Sequence, residues 1–503
     1  MATGNTVIQN ATIVNEGGRF RASVLIASGR IAQIVRDQEL PVRNGDEVAD
    51  AEGALLLPGI IDGHVHMREP GLTHKADMES ETRAAARGGV TTVLDMPNVV
   101  PQTTTLQLLQ ERYALAEGRC YVNYGFFLGA TNNNIEEIKR LDVTQSPGVK
   151  LFMGSSTGNM LVDREEVLHR IFRESPTLIV AHCEDTERIK SEERRVKSEE
   201  SELHLGNNGT FDSSLFTLHS SLPDDLPVRF HPLIRDHEAC YRSSELAVRL
   251  AKEEGARLHV AHITTARELE LFRPSDASAN GAEERFRPSD ASAKGAEERF
   301  HPDDASANGA EERITAEACV PHLLFTDKDY ETLGSRIKCN PAIKTEADRA
   351  ALRKALTDGR IRTIATDHAP HLLSEKEGGA LKAMSGMPMV QFSLPAVLSL
   401  VDEGVLSLER AVELMCHNPA RLYRIPERGF IREGYKADLT LVRRNAWTVT
   451  KDCIESKCGW SPLEGSTLKW QVEKTWVGGH LVWDGASLMY PPRGERIFFA
   501  DGK

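Results

Sequence analysis

Apolar and polar positions alternate through residues 5–35, NTVIQNATIVNEGGRFRASVLIASGRIAQIV, between glycine-containing turns. A period of two marks half-buried strands, so three short antiparallel strands are predicted here. The C-terminal stretches GFIREGYKADLTLVRRNAWTVT and EKTWVGGHLVWDG have the same character. The two β-rich ends, residues 1–57 and 426–503, are expected to meet in one small β-sandwich domain beside whatever lies between.

Over residues 58–425 the pattern changes. Eight short apolar runs follow one another: ALLLPGIIDGHVHM, VTTVLDMPN, CYVNYGFFLGA, GVKLFMGSS, TLIVAHCED, RLHVAHITT, ITAEACVPHLLF and IRTIATDHAPH. Helix-patterned segments such as MESETRAAARGG, DREEVLHRIFRE and ACYRSSELAVRLAKEEG separate most of them. Eight buried strands alternating with helices predict an α/β fold, a (β/α)8 TIM-type barrel. A doubly wound open sheet is the alternative, but no G-x-G-x-x-G follows the first strand.

Residues 272–313 break the alternation with three tandem 14-residue units, FRPSDASANGAEER, FRPSDASAKGAEER and FHPDDASANGAEER. Each has a single large apolar side chain, too little to offset the entropy of ordering it, so an exposed, partly disordered expansion is expected. It falls between strand six and strand seven, on a connection opposite the active-site face of a barrel. It is therefore expected to be dispensable for chemistry.

Composition narrows the function. The chain has 74 acidic against 61 basic side chains, a net charge of −13, which argues against nucleic-acid or anionic-membrane partners. No apolar run approaches the roughly 20 residues that span a bilayer. The eight cysteines form no C-x-x-C pair and the N-terminus lacks a signal-peptide profile, so a reducing cytoplasm is the simplest expectation.

The candidate chemistry sits at strand ends. His64 and His66 lie two apart at the end of strand one, where i and i+2 share a face and can reach one metal. Strand five ends at His182, strand six at His262 and strand eight at Asp367. Strand four ends with Lys150 inside the apolar run GVKLFM, where a lysine is rarely buried without a partner. Two divalent ions need a bridging anion, and a neutral amine that takes up carbon dioxide supplies one as a carbamate. The other readings are a lysine snorkelling to the barrel mouth and a lysine binding an anionic substrate. Spacing leaves these open.

As a set, PGIIDGHVHMREPG, GGVTTVLDMPNVVP, VKLFMGSSTG, IVAHCED, HVAHITTARELELF, KCNPAIK and TIATDHAPH resemble the dihydroorotases of the amidohydrolase superfamily. The likeness covers the chain apart from the repeats. It implies two zinc ions: one held by His64, His66 and Asp367, the other by His182 and His262, with carboxylated Lys150 bridging them. It further implies attack on a ring amide by a water activated between the metals, with Asp367 as general base and acid. The reaction would interconvert N-carbamoyl-L-aspartate and dihydroorotate in pyrimidine biosynthesis. Arg68, whose planar fork suits a carboxylate, is the expected substrate anchor. Asn98, Asn340 and His371 match the family's other substrate contacts. For Arg68 the bland alternative is a salt bridge to Glu69 or Asp77, and for Asn98 a turn cap before Pro101. His231, His237 and Cys183 are read as structural, and any role for His322 is doubtful, because VPHLL lacks the second histidine common in relatives. Homo-oligomers are expected by the same resemblance. An allantoinase or hydantoinase-type hydrolase is the alternative activity, and a non-catalytic scaffold the third.

Overall fold

A computed structural model describes residues 5–154, 160–206, 225–272 and 313–501. Of the three tandem repeats only Phe272 and Arg313 fall among them, so the expectation of an exposed, dispensable expansion lies outside the described residues.

The N-terminal alternation folds as predicted into β1 (Thr6–Asn15), β2 (Gly18–Ala27) and β3 (Arg30–Arg36), antiparallel in the order β1-β2-β3. β4 (Glu47–Asp50) and β5 (Leu55–Pro58) follow, both pairing parallel with β1, at different points along it.

The barrel comprises β6 (Ile60–Val65), β7 (Val90–Asp95), β8 (Asn123–Phe126), β9 (Leu128–Gly129), β10 (Val149–Phe152), β11 (Ile179–His182), β12 (Leu258–Val260), β13 (Ile314–Cys319) and β14 (Thr363–Ala365). β8 and β9 are one run of chain interrupted at Phe127, so the eight apolar runs of the sequence supply the eight barrel strands. All pair in parallel in chain order. The His66 N–H donates to His368 O at 2.7 Å and Val65 bridges His368, which closes β14 onto β6. These strands are buried on both faces, which is why they read as continuous apolar runs rather than alternating ones.

The helices between them carry their own start and stop signals. Asp77 caps helix Met78–Arg87 by accepting from the Ser80 N–H, and Asp236 caps helix His237–Glu254 in the same way at Ala239. Gly255, in the left-handed conformation at φ 68°, ends the second of these.

The chain returns to the terminal sheet with β15 (Leu439–Thr448), β16 (Thr467–Val477) and β17 (His480–Trp483). β15 pairs antiparallel with β5, joining both ends of the chain in one folded eight-stranded sheet. Ile8, Val24, Ile31, Ala49, Leu439 and Trp476 share its apolar core, so the two wings enclose a common interior. The molecule is a (β/α)8 barrel with a terminal β domain. Among the described residues, no helix is long and apolar enough to cross a membrane.

Candidate metal centre and substrate pocket

All ten side chains singled out above line one cavity of about 700 Å³ at the C-terminal mouth of the barrel: His64, His66, Arg68, Asn98, Lys150, His182, His262, Asn340, Asp367 and His371. His64 sits on β6, and His182 is the last residue of β11. His262 and Asp367 lie two residues beyond β12 and β14, slightly later than the sequence placed the strand ends. Lys150 is not the last residue of its strand, because β10 runs on through Phe152. Arg68, His262 and Asp367 have left-handed backbones, at φ 66°, 37° and 48°. For non-glycine residues that conformation costs on the order of 1 kcal/mol each and clusters at functional sites.

Asp367 Oδ1 lies 3.1 Å from His66 Nε2 and 3.4 Å from His64 Nε2, and the three donor atoms fall within 4.8 Å of one another. This set can hold one divalent ion. His182 Nδ1 and His262 Nε2 lie 3.0 Å apart and form a second pair of nitrogen donors beside it.

The ring tautomers are set from outside. Glu317 Oε1 lies 2.8 Å from His64 Nδ1, and Asn98 Oδ1 lies 2.7 Å from His66 Nδ1. An oxygen acceptor at Nδ1 fixes the proton there and leaves the Nε2 lone pair facing Asp367. Glu184 Oε2, which also takes Arg235, lies 3.0 Å from His182 Nε2 and turns the Nδ1 lone pair inward. Burial pushes the pKa of His66 down to about 4 and lowers those of His182 and His262. These three rings are therefore neutral at neutral pH, the form in which a histidine can ligate a metal. Burial alone would raise the Asp367 carboxyl. The electrostatics of the His64, His66 and His262 rings that face it outweigh this and hold it below the ordinary carboxylate range, so the group stays ionised.

Lys150 is fully buried, and its Nζ has no hydrogen-bond partner among the described residues. Burial lowers its pKa, while the carboxylates of Glu317 and Asp367 oppose that. An unpartnered buried ammonium is costly. A terminal carboxylate at this position would instead find nitrogen donors and any metal they hold. The residues present fit a metal centre.

The other end of the cavity is built from donors. Arg68 is buried, with Nε donating to Pro370 O at 3.0 Å and Nη2 lying 2.9 Å from His371 Nε2. The salt bridges weighed for it do not form. Glu69 pairs with Arg119 and Asp77 with Lys457, both nearer to hand. No carboxylate among the described residues comes within salt-bridge distance of Arg68. Lys75 Nζ approaches His371 Nδ1 at 3.1 Å. Asn340 Oδ1 is buried, with no hydrogen-bond partner among the described residues. Asn98 turns its side-chain oxygen to the His66 ring.

His237 pairs with Asp348 at the start of its helix, His322 Nε2 meets Pro341 O, and Cys183 is buried in the core. His231 also lines the cavity wall, with Nε2 2.9 Å from Cys339 O.

Sequence reasoning passed over Glu317, Lys75 and Lys376. Glu317 carried a usable signal, since a carboxylate in the buried run ITAEACV raises the question that Lys150 raised in its own run.

Comparison with known proteins gives the family. The amidohydrolase family profile matches residues 240–482 and a dihydro-orotase-like profile residues 53–189. A dihydroorotase from Methanosarcina acetivorans is 31% identical, covering 97% of this chain and 94% of its own. One from Halobacterium salinarum is 31% identical over 93% and 97%. Among solved structures, the L-hydantoinase (dihydropyrimidinase) from Arthrobacter aurescens superposes with a TM-score of 0.81 at 25% identity, covering 98% of this chain and 99% of its own. The dihydropyrimidinase from Brevibacillus agri NCHU1002 gives 0.78 at 22%, covering 99% of each, and speaks for the fold. On these relatives, the chain belongs to the dihydroorotase family of amidohydrolases and is a hydrolase of cyclic amide C–N bonds.

Proposed function

We propose that this protein is a zinc-dependent dihydroorotase that reversibly interconverts N-carbamoyl-L-aspartate and (S)-dihydroorotate. The observation that carries the substrate is Arg68: a buried guanidinium, free of carboxylate partners among the described residues, in the same cavity as the ligand set. A buried unpaired cation beside a reaction centre is matched by an anionic substrate.

In this reading His64, His66 and Asp367 would hold one zinc ion and His182 and His262 the other, with Lys150 as a further, anionic ligand once carboxylated. That carboxylation is balanced: the neutral Lys150 amine adds to carbon dioxide, forming an N–C bond and releasing a proton. Bound there, the two ions supply Lewis acidity toward a water and toward the ring amide carbonyl. Asp367, ionised and facing His64 and His66, accepts the water's proton and delivers it to the departing ring nitrogen. Arg68, with Asn98, Asn340 and His371, holds the substrate carboxylate and fixes the ring edge presented to Asp367. Run in reverse, the same groups close N-carbamoyl-L-aspartate.

The overall likeness to an L-hydantoinase favours a second reading, ring opening of a hydantoin. Neither hydantoin nor allantoin carries a carboxylate for Arg68. The test is side-by-side ring opening of dihydroorotate, allantoin and hydantoin, with zinc measured on the purified protein. Two zinc ions per chain and preferred turnover of dihydroorotate are expected. Turnover of allantoin or hydantoin with dihydroorotate inert overturns the reading.

A further inference from the structure

Residues Ala380–Gly386 form one wall of the cavity in neither helix nor strand, so the ladders of regular structure do not hold it. Four consecutive carbonyls of that wall are instead taken by side-chain nitrogens. Lys338 Nζ donates to Ala383 O. Lys376 Nζ donates to Met384 O at 2.6 Å and to Gly386 O at 2.7 Å. His371 Nε2 lies 3.1 Å from Ser385 O. Lys376 also donates to Lys338 O at 3.0 Å, and the same carbonyl accepts from the Gly386 N–H at 2.8 Å.

The Lys376 ammonium thus sits in a cage of three backbone carbonyls, 5% exposed, with no carboxylate within 4 Å among the described residues. Its three N–H groups meet three acceptors, which leaves no donor over and no solvent needed. Burial lowers its pKa and Lys338 and Arg68 push the same way, while Cys339 and Glu375 oppose them. The three carbonyls are what the fold sets against that penalty. An arrangement of this kind is a monovalent-cation site whose cation is tethered to the chain.

We propose that Lys376 is a positioning residue: its ammonium is the fixed cation of a carbonyl cage that holds the 383–386 wall against His371 and so sets the carboxylate end of the pocket. The link to substrate binding rests on the reading of Arg68 and His371 given above. The cage itself does not.

Two substitutions separate the cage from mere packing. Lys376→Ala empties the cage and leaves room for a small cation. Lys376→Met keeps the stem and fills the space with a methyl group. Both should raise KM for dihydroorotate roughly tenfold while kcat changes less than about threefold, the signature of lost ground-state binding. Ethylammonium should restore KM in Lys376→Ala and raise its thermal unfolding midpoint. Tetramethylammonium at the same ionic strength, lacking N–H donors, should do neither, and Lys376→Met should respond to neither ion. An unchanged KM in both variants overturns the proposal. So does a Lys376→Ala midpoint that ignores ethylammonium or rises equally with tetramethylammonium. The thermal readout needs no substrate. A wild-type enzyme inert toward dihydroorotate therefore counts against the substrate assignment, and an unresponsive midpoint counts against the cage.

Discussion

On the barrel axis His64, His66, His182, His262 and Asp367 present lone pairs, and the outer nitrogens of three of those rings face Glu317, Asn98 and Glu184. Elsewhere, Arg68, Lys75, Lys338 and Lys376 present N–H groups to backbone carbonyls and the His371 ring, and Lys75 also pairs with Glu375 at 2.8 Å. The first region is a surplus of acceptors around the Lys150 amine, which has no hydrogen-bond partner among the described residues. The second is a surplus of cations: Glu375 answers Lys75, and among the described residues no carboxylate pairs with Arg68, Lys338 or Lys376. Each imbalance is costly in a buried site unless something from outside completes it. In the proposed reading metal ions complete the first and an anionic substrate the second, so one cavity would hold both a reaction centre and a handle.

The contrast can be broken one end at a time. Asp367→Asn removes the proton carrier and should cut kcat by at least about a thousandfold with substrate binding retained, checked by single-turnover kinetics and calorimetry. Lys150→Ala should lose metal together with activity, by elemental analysis, and regain part of both when a small carboxylic acid is added. A variant that keeps two zinc ions would show Lys150 to be a rim cation. Arg68→Ala strikes the other end. It should raise KM for dihydroorotate by about a hundredfold, in line with the loss of a charge-assisted bidentate contact, while zinc content is unchanged. Glu317→Gln should weaken zinc affinity roughly tenfold to a hundredfold by loosening the His64 tautomer, measured by chelator competition. Asn98→Ala sharpens the boundary between the ends. A rise in KM alone makes it a substrate contact, and weakened zinc binding alone makes it the orienting partner of His66.

Much of this was legible in the chain because parallel barrel strands leave a strong signature. Buried on both faces, they read as apolar runs, and a polar residue at the end of such a run is conspicuous. His64, His66, His182 and Asp367 stand out for that reason. What stayed hidden is held by contacts with no periodicity. Lys75 in THKADM and Lys376 in LLSEKEGG look like ordinary loop lysines, and their partners lie in segments whose approach only the closed barrel defines. The Arg68 alternatives failed for a related reason. Glu69 and Asp77 are near in sequence, but the left-handed turn at Arg68 carries its side chain toward Pro370 and His371 instead.

The central claim is that the donor end of the cavity selects a carboxylate. Dihydroorotate and dihydrouracil differ in that carboxylate alone, so the ratio of their kcat/KM values in the zinc-loaded wild-type enzyme tests it directly. A site built around buried donors should favour dihydroorotate by at least roughly a thousandfold, since the analogue leaves those donors unanswered. Equal turnover of the two rings, or a preference for dihydrouracil, contradicts the account.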